Sequence, residues 1–506
     1  MSLARVTTFA LDGIDARRVE VEADVRQGLP AFAIVGLADK AVREARDRVR
    51  SALVNSGFEF PQRRITVNLA PAYLRKIGPS FDLPLAVALL AAAGQLDGDL
   101  LDGCAVMGEL GLAGDLRPIR GTLAIAEGTR RHAIGRLLVP ASRAREAALV
   151  DGVEIIGVNT IVEAVDVLRG AAPVPPVPAE APEPELDGPE PPDLSDVRGH
   201  NALIYALEVA AAGGHNLYLH GPPGTGKTML ARRVPSILPP LSQPEAIEVT
   251  RVQSIAGTAG GGLVTARPFR APHHTISASG LVGGSSPPMP GEATLAHHGV
   301  LFLDELSEFA RPSLEALRQP LEDGRVTIVR GQRVMIFPTR FMLVAASNPC
   351  PCGRGEEACR CTAADLSRHD RRLSGPLLDR IDLSLEVLRP SAEALRDQTG
   401  PRSAEVRERV IAARERQAAR LAASGATSNA EMTARSLREL AAATPSALRL
   451  LYELHDRNRL SARAHGRILR VARTVADLAG SDQVHPEHIS AAAGLRLDDL
   501  RLRAAA

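Results

Sequence analysis

At 506 residues and 45% apolar side chains, the chain is long enough for about three domains, each with its own core. No apolar run reaches about 18 residues, and the opening MSLARVTTFALDG lacks the apolar stretch of a secretory leader; this excludes a membrane span and predicts a cytoplasmic, reducing setting. The net charge is +1, but residues 171–196 hold seven acids and no Lys or Arg, which leaves the rest at +8: compatible with a nucleic-acid partner, not evidence of one.

Residues 1–170 alternate strand-like runs (FAIVGL, RRITVNL, LLVPA, EIIGV) with helix-like ones (DKAVREARDRVRSALVNSG, FDLPLAVALLAAAG), an α+β pattern. Residues 171–196, AAPVPPVPAEAPEPELDGPEPPDLSD, read as an extended linker, because repeated proline with acids cannot bury a core. Residues 197–390 place the apolar strands NLYLHG, VLFLDEL and FMLVAASN between helical stretches, which predicts a parallel sheet covered on both faces. Residues 391–506 read as almost wholly helical. The fold class expected is multidomain α/β with a C-terminal helical domain. Arginine outnumbers lysine 57 to three. That bias reads as GC-rich codon usage, so arginine abundance is weak evidence for DNA, and Lys40, Lys76 and Lys227 gain interest.

GPPGTGKT follows one of those strands and opens a helix. Gly221, Pro222, Pro223, Gly224, Thr225 and Gly226 form a loop whose backbone N–H groups can wrap phosphates; Lys227 can reach the β- and γ-phosphates of ATP, and the Thr228 hydroxyl can hold Mg²⁺. About 75 residues later GVLFLDEL ends a strand in Asp304, suited to the Mg²⁺ shell, and Glu305, suited to polarise water as general base. Either acid could instead be a solvated strand end. Asn348 closes the strand FMLVAASN, where it can sense the γ-phosphate or simply begin a turn at Pro349. EDGRVTIVRGQRVMIFPTRF reads as a β-hairpin with Arg330 and Arg333 at its tip. FRAPHHTISASGLVGGSSPPMPGEATLAHH carries the pairs His273-His274 and His297-His298. Adjacent residues rarely face one ion together, so structural histidines are the preferred reading over metal.

Four of five cysteines, Cys350, Cys352, Cys359 and Cys361, lie in NPCPCGRGEEACRC. Four thiolates can close a tetrahedral, structural Zn²⁺ site, although C-x-C is tighter than the usual C-x₂-C. Disulfides or redox sensing are the alternatives. Cys104 stands apart as a small buried residue.

These motifs, with GLPAFAIVGLADKAVREARDRV, PGEATLAHHGVLFLDELSEF and SGPLLDRIDLSLEV, resemble the YifB/ComM family of magnesium-chelatase-like AAA+ ATPases over nearly the whole chain. The resemblance implies an AAA+ P-loop αβα core. It implies that Arg380 is an arginine finger reaching the neighbouring subunit, and that Arg463 is the sensor-2 residue, with Arg470 as fallback. A finger acting in trans requires a ring, so a homohexamer is expected. Within one chain, Arg380 could equally pair with Asp379 or Asp382. In this clade the hairpin faces the central pore. There the tip arginines would contact DNA phosphates, unless they are solvated or pair between subunits. The function implied is an ATP-driven DNA helicase or branch-migration motor in recombination of incoming DNA during natural transformation.

The N-terminal stretch GPSFDLPLAVALLAA, followed by MGELGLAGDLRPIRGTLAIAEG, resembles the Lon-type protease domain, a fold shared with ribosomal protein S5 domain 2. Ser80 takes the nucleophile's place, but Leu123 stands where the dyad lysine belongs and no lysine follows it in this domain, so the domain is read as non-proteolytic. Two rivals remain. One is the ATPase subunit of a magnesium chelatase, disfavoured by the Lon-like region and the C-x-C pairs. The other is an ATP-dependent protein remodeller or protease.

Overall fold

The computed structural model describes residues 3–174, 177, 192–284, 288–330, 333–354, 359–372, 375–397, 399–458 and 460–496. The chain divides into two compact units, and neither is a continuous stretch of sequence. The first holds Met1–Asp187, Ser242–Val264 and Thr327–Phe337; the second holds Gly188–Leu241, Thr265–Val326 and Pro338–Ala506. Most of the Pro/acid-rich linker, residues 178–191, lies outside the described residues.

The first unit is built on a mixed seven-stranded sheet. Its strand order is Ala31–Val35, Arg64–Ala70, Asp15–Arg26, Leu3–Asp12, Cys104–Val106, Arg136–Pro140, Glu154–Val158. The four strands anticipated from the sequence all form. The long opening hairpin, Leu3–Asp12 with Asp15–Arg26, was not anticipated, although Asp12-Gly13 between two alternating runs is a strong hairpin signal. The helix Lys40–Asn55 starts where the Asp39 carboxylate accepts the Val42 N–H at 2.9 Å. Asp82–Ala92 is buried along most of its length, which explains its uniformly apolar sequence. Gln243–Ala256 belongs to this unit: Arg251 donates to Glu127 at 2.7 Å, and the Gly121 N–H donates to the Ser254 carbonyl. Lys76 is fully buried, and its ammonium donates to the carbonyls of Leu69 and Pro71. Ser80 lies in the short turn Pro79–Phe81, and the Leu123 side chain is fully buried in an apolar cluster.

The second unit carries a five-stranded, all-parallel sheet in the order Phe269–Arg270, Val300–Leu303, Met342–Ser347, Leu217–His220, Leu383–Glu386. Its three inner strands are almost wholly buried, as continuous apolar runs require. Beyond Glu386 every described element is helical, the longest being Ser403–Leu421 and Ala462–Leu478. The sequence expectation of a parallel sheet followed by a helical region is met.

A buried polar network joins these helices. Asp477, fully buried, accepts from Arg420 at 2.8 and 2.7 Å, from Arg473 at 3.2 and 2.9 Å and from Asn429 at 2.8 Å. Asn429 and His215 both reach the Thr474 hydroxyl, and His215 Nδ1 lies 3.4 Å from Asp382. Removing one member strands buried charge. Asp477→Ala should therefore lower stability by about 3–5 kcal/mol, read as a fall in the denaturant midpoint followed by helical signal. A change below about 1 kcal/mol would mean the network is solvated.

Candidate nucleotide site and cysteine knot

Strand register sets the site. His220 pairs with Ser347, and Leu303 pairs with Ala345. The next residues along, Gly221, Asn348 and Asp304, therefore emerge together at the carboxyl edge of the sheet, where open α/β sheets bind ligands. Residues far apart in sequence meet there. The Thr228 hydroxyl donates to Asp304 Oδ2 at 2.7 Å. The Lys227 ammonium donates to the carbonyls of Gly221 at 2.6 Å and Pro222 at 2.8 Å, and to Asn348 Oδ1 at 3.2 Å. Burial pulls the lysine below its ordinary value, with Asp304 opposing the shift. Thr225 braces the loop from within, donating to the Pro222 carbonyl at 2.9 Å. Gly221 is required by close approach: a Cβ there would sit 2.3 Å from the Val387 carbonyl oxygen. A tight loop, a buried ammonium and a hydroxyl–carboxylate pair fit a triphosphate with Mg²⁺.

Glu305 adopts φ 51°, the left-handed region, and its side chain is half exposed. Its N–H donates to Asp304 Oδ1 at 3.0 Å. Asp304 thus meets the Thr228 hydroxyl through Oδ2 and the Glu305 main chain through Oδ1.

Arg380 pairs within its own chain, but with Glu322 of the helix Arg318–Asp323. The sequence reading, which weighed Asp379 and Asp382, did not consider Glu322. Burial, with Arg318 and Arg463 nearby, holds the Arg380 guanidinium below its ordinary value. Arg463 itself is exposed on the first turn of Ala462–Leu478. The fallback, Arg470, donates to the Met432 carbonyl at 2.9 Å. Asn216 escaped sequence reasoning altogether. It donates to the Arg380 carbonyl at 3.0 Å and accepts the Leu343 N–H at 2.8 Å, tying the Arg380 main chain to the central strands. Only its place before a buried strand could have marked it.

All five cysteines are free thiols. The sulfurs of Cys350, Cys352, Cys359 and Cys361 lie within 4.8 Å of one another. Three separations are 3.3, 3.8 and 3.7 Å. Tetrahedral Zn²⁺ with bonds of about 2.3 Å sets its sulfurs roughly 3.8 Å apart, so the donor set fits. Backbone N–H groups of Arg360 and Arg354 pull the Cys352 thiol down, while the crowded neighbouring sulfurs push Cys359 and Cys361 up, so without a cation the four thiols do not ionise together. This loop lies against the nucleotide loop: a Cβ on Gly353, at φ 71°, would sit 3.1 Å from Pro223 Cδ. His369, on the helix that follows, donates through Nε2 to the Asn348 carbonyl at 3.1 Å. The knot thus braces both the nucleotide loop and the Asn348 turn.

The hairpin strands are Arg325–Arg330 and Arg333–Pro338. Gly331, Gln332 and the side chains of Arg330 and Arg333 lie outside the described residues. His297 is buried and accepts the Arg340 N–H at 3.0 Å.

Comparison with known proteins decides the family. The chain matches three family descriptions: magnesium chelatase, subunit ChlI, over residues 193–395; subunit ChlI of Mg-chelatase over 21–143; and the ChlI C-terminal region over 400–496. It is 43% identical to YifB of Escherichia coli over 505 residues, 99% of this chain and 98% of that protein. It is 42% identical to competence protein ComM of Haemophilus influenzae over 508 residues, 98% of each. A Mycobacterium tuberculosis protein, Rv2897c, is 43% identical over 501 residues, 98% of this chain and 99% of its own. The chain belongs to the YifB/ComM magnesium-chelatase-like family. The YifB/ComM likeness runs end to end. A ChlI-named description also covers the N-terminal region, so that region alone does not separate this family from a chelatase subunit; end-to-end similarity does. Membership suggests ATPase activity. No helix among the described residues is long and apolar enough to cross a membrane.

Proposed function

We propose that this chain is the subunit of a ring-shaped, ATP-hydrolysing motor that acts on DNA. The observation that carries the reading is the meeting of Lys227, Thr228, Asp304 and Asn348 at one sheet edge. Lys227 and the N–H groups of Gly224–Thr228 bind the triphosphate. Asn348 orients the attacking water or the γ-phosphate, and Glu305 takes the water's proton. Thr228 and Asp304 would hold Mg²⁺, which when bound neutralises charge on the β- and γ-phosphates. Arg463 takes the sensor-2 role, and Arg380 completes a neighbouring subunit's site, which makes the working state a homohexamer. Leaving Glu322 for the neighbour's phosphates exchanges one anionic partner for another.

The DNA assignment is supported by 42% identity to a competence protein over nearly the full chain. Branch migration or unwinding of incoming DNA in the cytoplasm is the activity proposed, with Arg330 and Arg333 on the phosphates. The chain is organised as 1–170, 171–196, 197–390 and 391–506, with Gln243–Ala256 grouped with the first part; that first part is a Lon-like, S5 domain 2-like domain without proteolysis. In support, the side chain at the dyad lysine's position is the buried Leu123. ATPase turnover measured with single-stranded, duplex and branched DNA tests the function. Several-fold stimulation by at least one form is expected. Equal turnover with all three and with none would point to the chelatase or remodeller rivals.

The four cysteines are proposed to hold structural Zn²⁺. Elemental analysis should find about one zinc per chain, halved or worse in Cys359→Ser. Zinc-free protein with full activity would end the assignment.

A further inference from the structure

The pair His273-His274 has no part in the chemistry above, yet it lies beside the candidate general base. Phe269–Arg270 and Val300–Leu303 are neighbouring strands, with Arg270 opposite Leu301. The chain leaving the first strand therefore passes over the end of the second, where Glu305 lies. His274 Nδ1 is 3.5 Å from Glu305 Oε2. The imidazole is held on two sides. The His273 ring stands 4.1 Å away between centroids, and the Phe309 ring meets it edge-on at 6.4 Å. His273 is anchored in turn, its Nδ1 lying 3.0 Å from the Thr275 hydroxyl. The two histidines therefore stack on each other, and only His274 reaches the carboxylate. That gives adjacency a use that metal binding does not: one ring walls the other.

We propose that His274 is a positioning residue for Glu305. The Glu305 backbone lies at φ 51°, and His274 Nδ1–H, 3.5 Å from Oε2, fixes one of its carboxylate oxygens. The other oxygen is left to accept the proton of the attacking water. The contact is at ion-pair distance, and such contacts tighten in the reacting complex. The inference rests on Glu305 as general base. It adds that the segment leaving Phe269–Arg270 sets the base's orientation, so any movement of that segment is felt directly in the rate.

The test is steady-state ATPase of the full-length chain with saturating DNA and Mg²⁺, beside binding of a non-hydrolysable ATP analogue. His274→Ala should lower kcat roughly 10- to 100-fold, the cost of a misplaced catalytic group. KM and analogue affinity should stay within about twofold. His274→Asn, whose amide nitrogen can occupy the place of Nδ1, should restore most of kcat; a merely structural role would not predict that rescue. In a Glu305→Gln background, His274→Ala should have no further effect. An unchanged kcat in His274→Ala, or failure of His274→Asn to rescue while analogue binding is intact, overturns the positioning role. If Glu305→Gln itself hydrolyses ATP at the unsubstituted rate, the general-base reading fails instead, so the two failures are distinguishable.

Discussion

Arg380→Ala should cut ATP turnover by about 10³- to 10⁵-fold while ATP still binds. The guanidinium is almost covered and faces the Glu322 carboxylate, so it is built to sit against an anion rather than in water. Burial and the neighbouring Arg318 and Arg463 charges hold it below its ordinary value, yet a guanidinium stays protonated across the physiological range. Positive charge gathered at one face is costly unless an anion meets it. Glu322 supplies that anion within the chain; in the proposed ring the γ-phosphate of a neighbour's ATP would supply it. Mixing Arg380→Ala with Glu305→Gln subunits decides whether the finger works in trans. Interfaces that join an intact Glu305 to an intact Arg380 should recover turnover, although each parent is inactive alone. No recovery on mixing, with mixed rings demonstrated, would place Arg380 in its own subunit's chemistry or in none.

Lys227→Ala should abolish ATP binding and lower turnover at least about 100-fold, the scale of losing one preorganised charge beside a reacting group. The ammonium is buried and donates to two loop carbonyls and to Asn348. Alanine removes the charge and leaves those carbonyls facing one another. Lys227→Arg should not rescue, because a planar fork cannot take the place of a compact ammonium inside so tight a loop. Analogue titration and turnover measured on the same preparation check both statements. Undiminished turnover in Lys227→Ala would refute the nucleotide-loop assignment, and with it the motor.

Much of the candidate site was legible because its signals are local. A strand, a tight loop and a helix start occupy consecutive residues around Lys227, and an apolar run ending in Asp304-Glu305 can be read without knowing where it packs. Cys350 to Cys361 likewise declare a cluster by spacing. Partners across the chain were less legible. Asp379 and Asp382 were the natural candidates for Arg380 because they are near in sequence; the helix Arg318–Asp323 brings a further partner, Glu322, from 58 residues away. Asn216 looks like an ordinary strand start until two separate segments, Arg380–Asp382 and the strand of Leu343, converge on it. The opening hairpin was overlooked although Asp12-Gly13 announces it.

The sequence by itself determined the nucleotide loop, the two acids that follow it, the thiol cluster and the helical end of the chain. Each depends on residue types at fixed short spacings, which the backbone converts into geometry without help. Only the tertiary structure decided that Gln243–Ala256 packs with the first unit, that the thiol loop presses on Pro223, and that His274 stands over Glu305. Such contacts join segments whose separation along the chain carries no periodic or compositional trace. They exist because strands far apart in sequence share one sheet edge, and sheet order is settled by burial of whole faces rather than by any one stretch of residues.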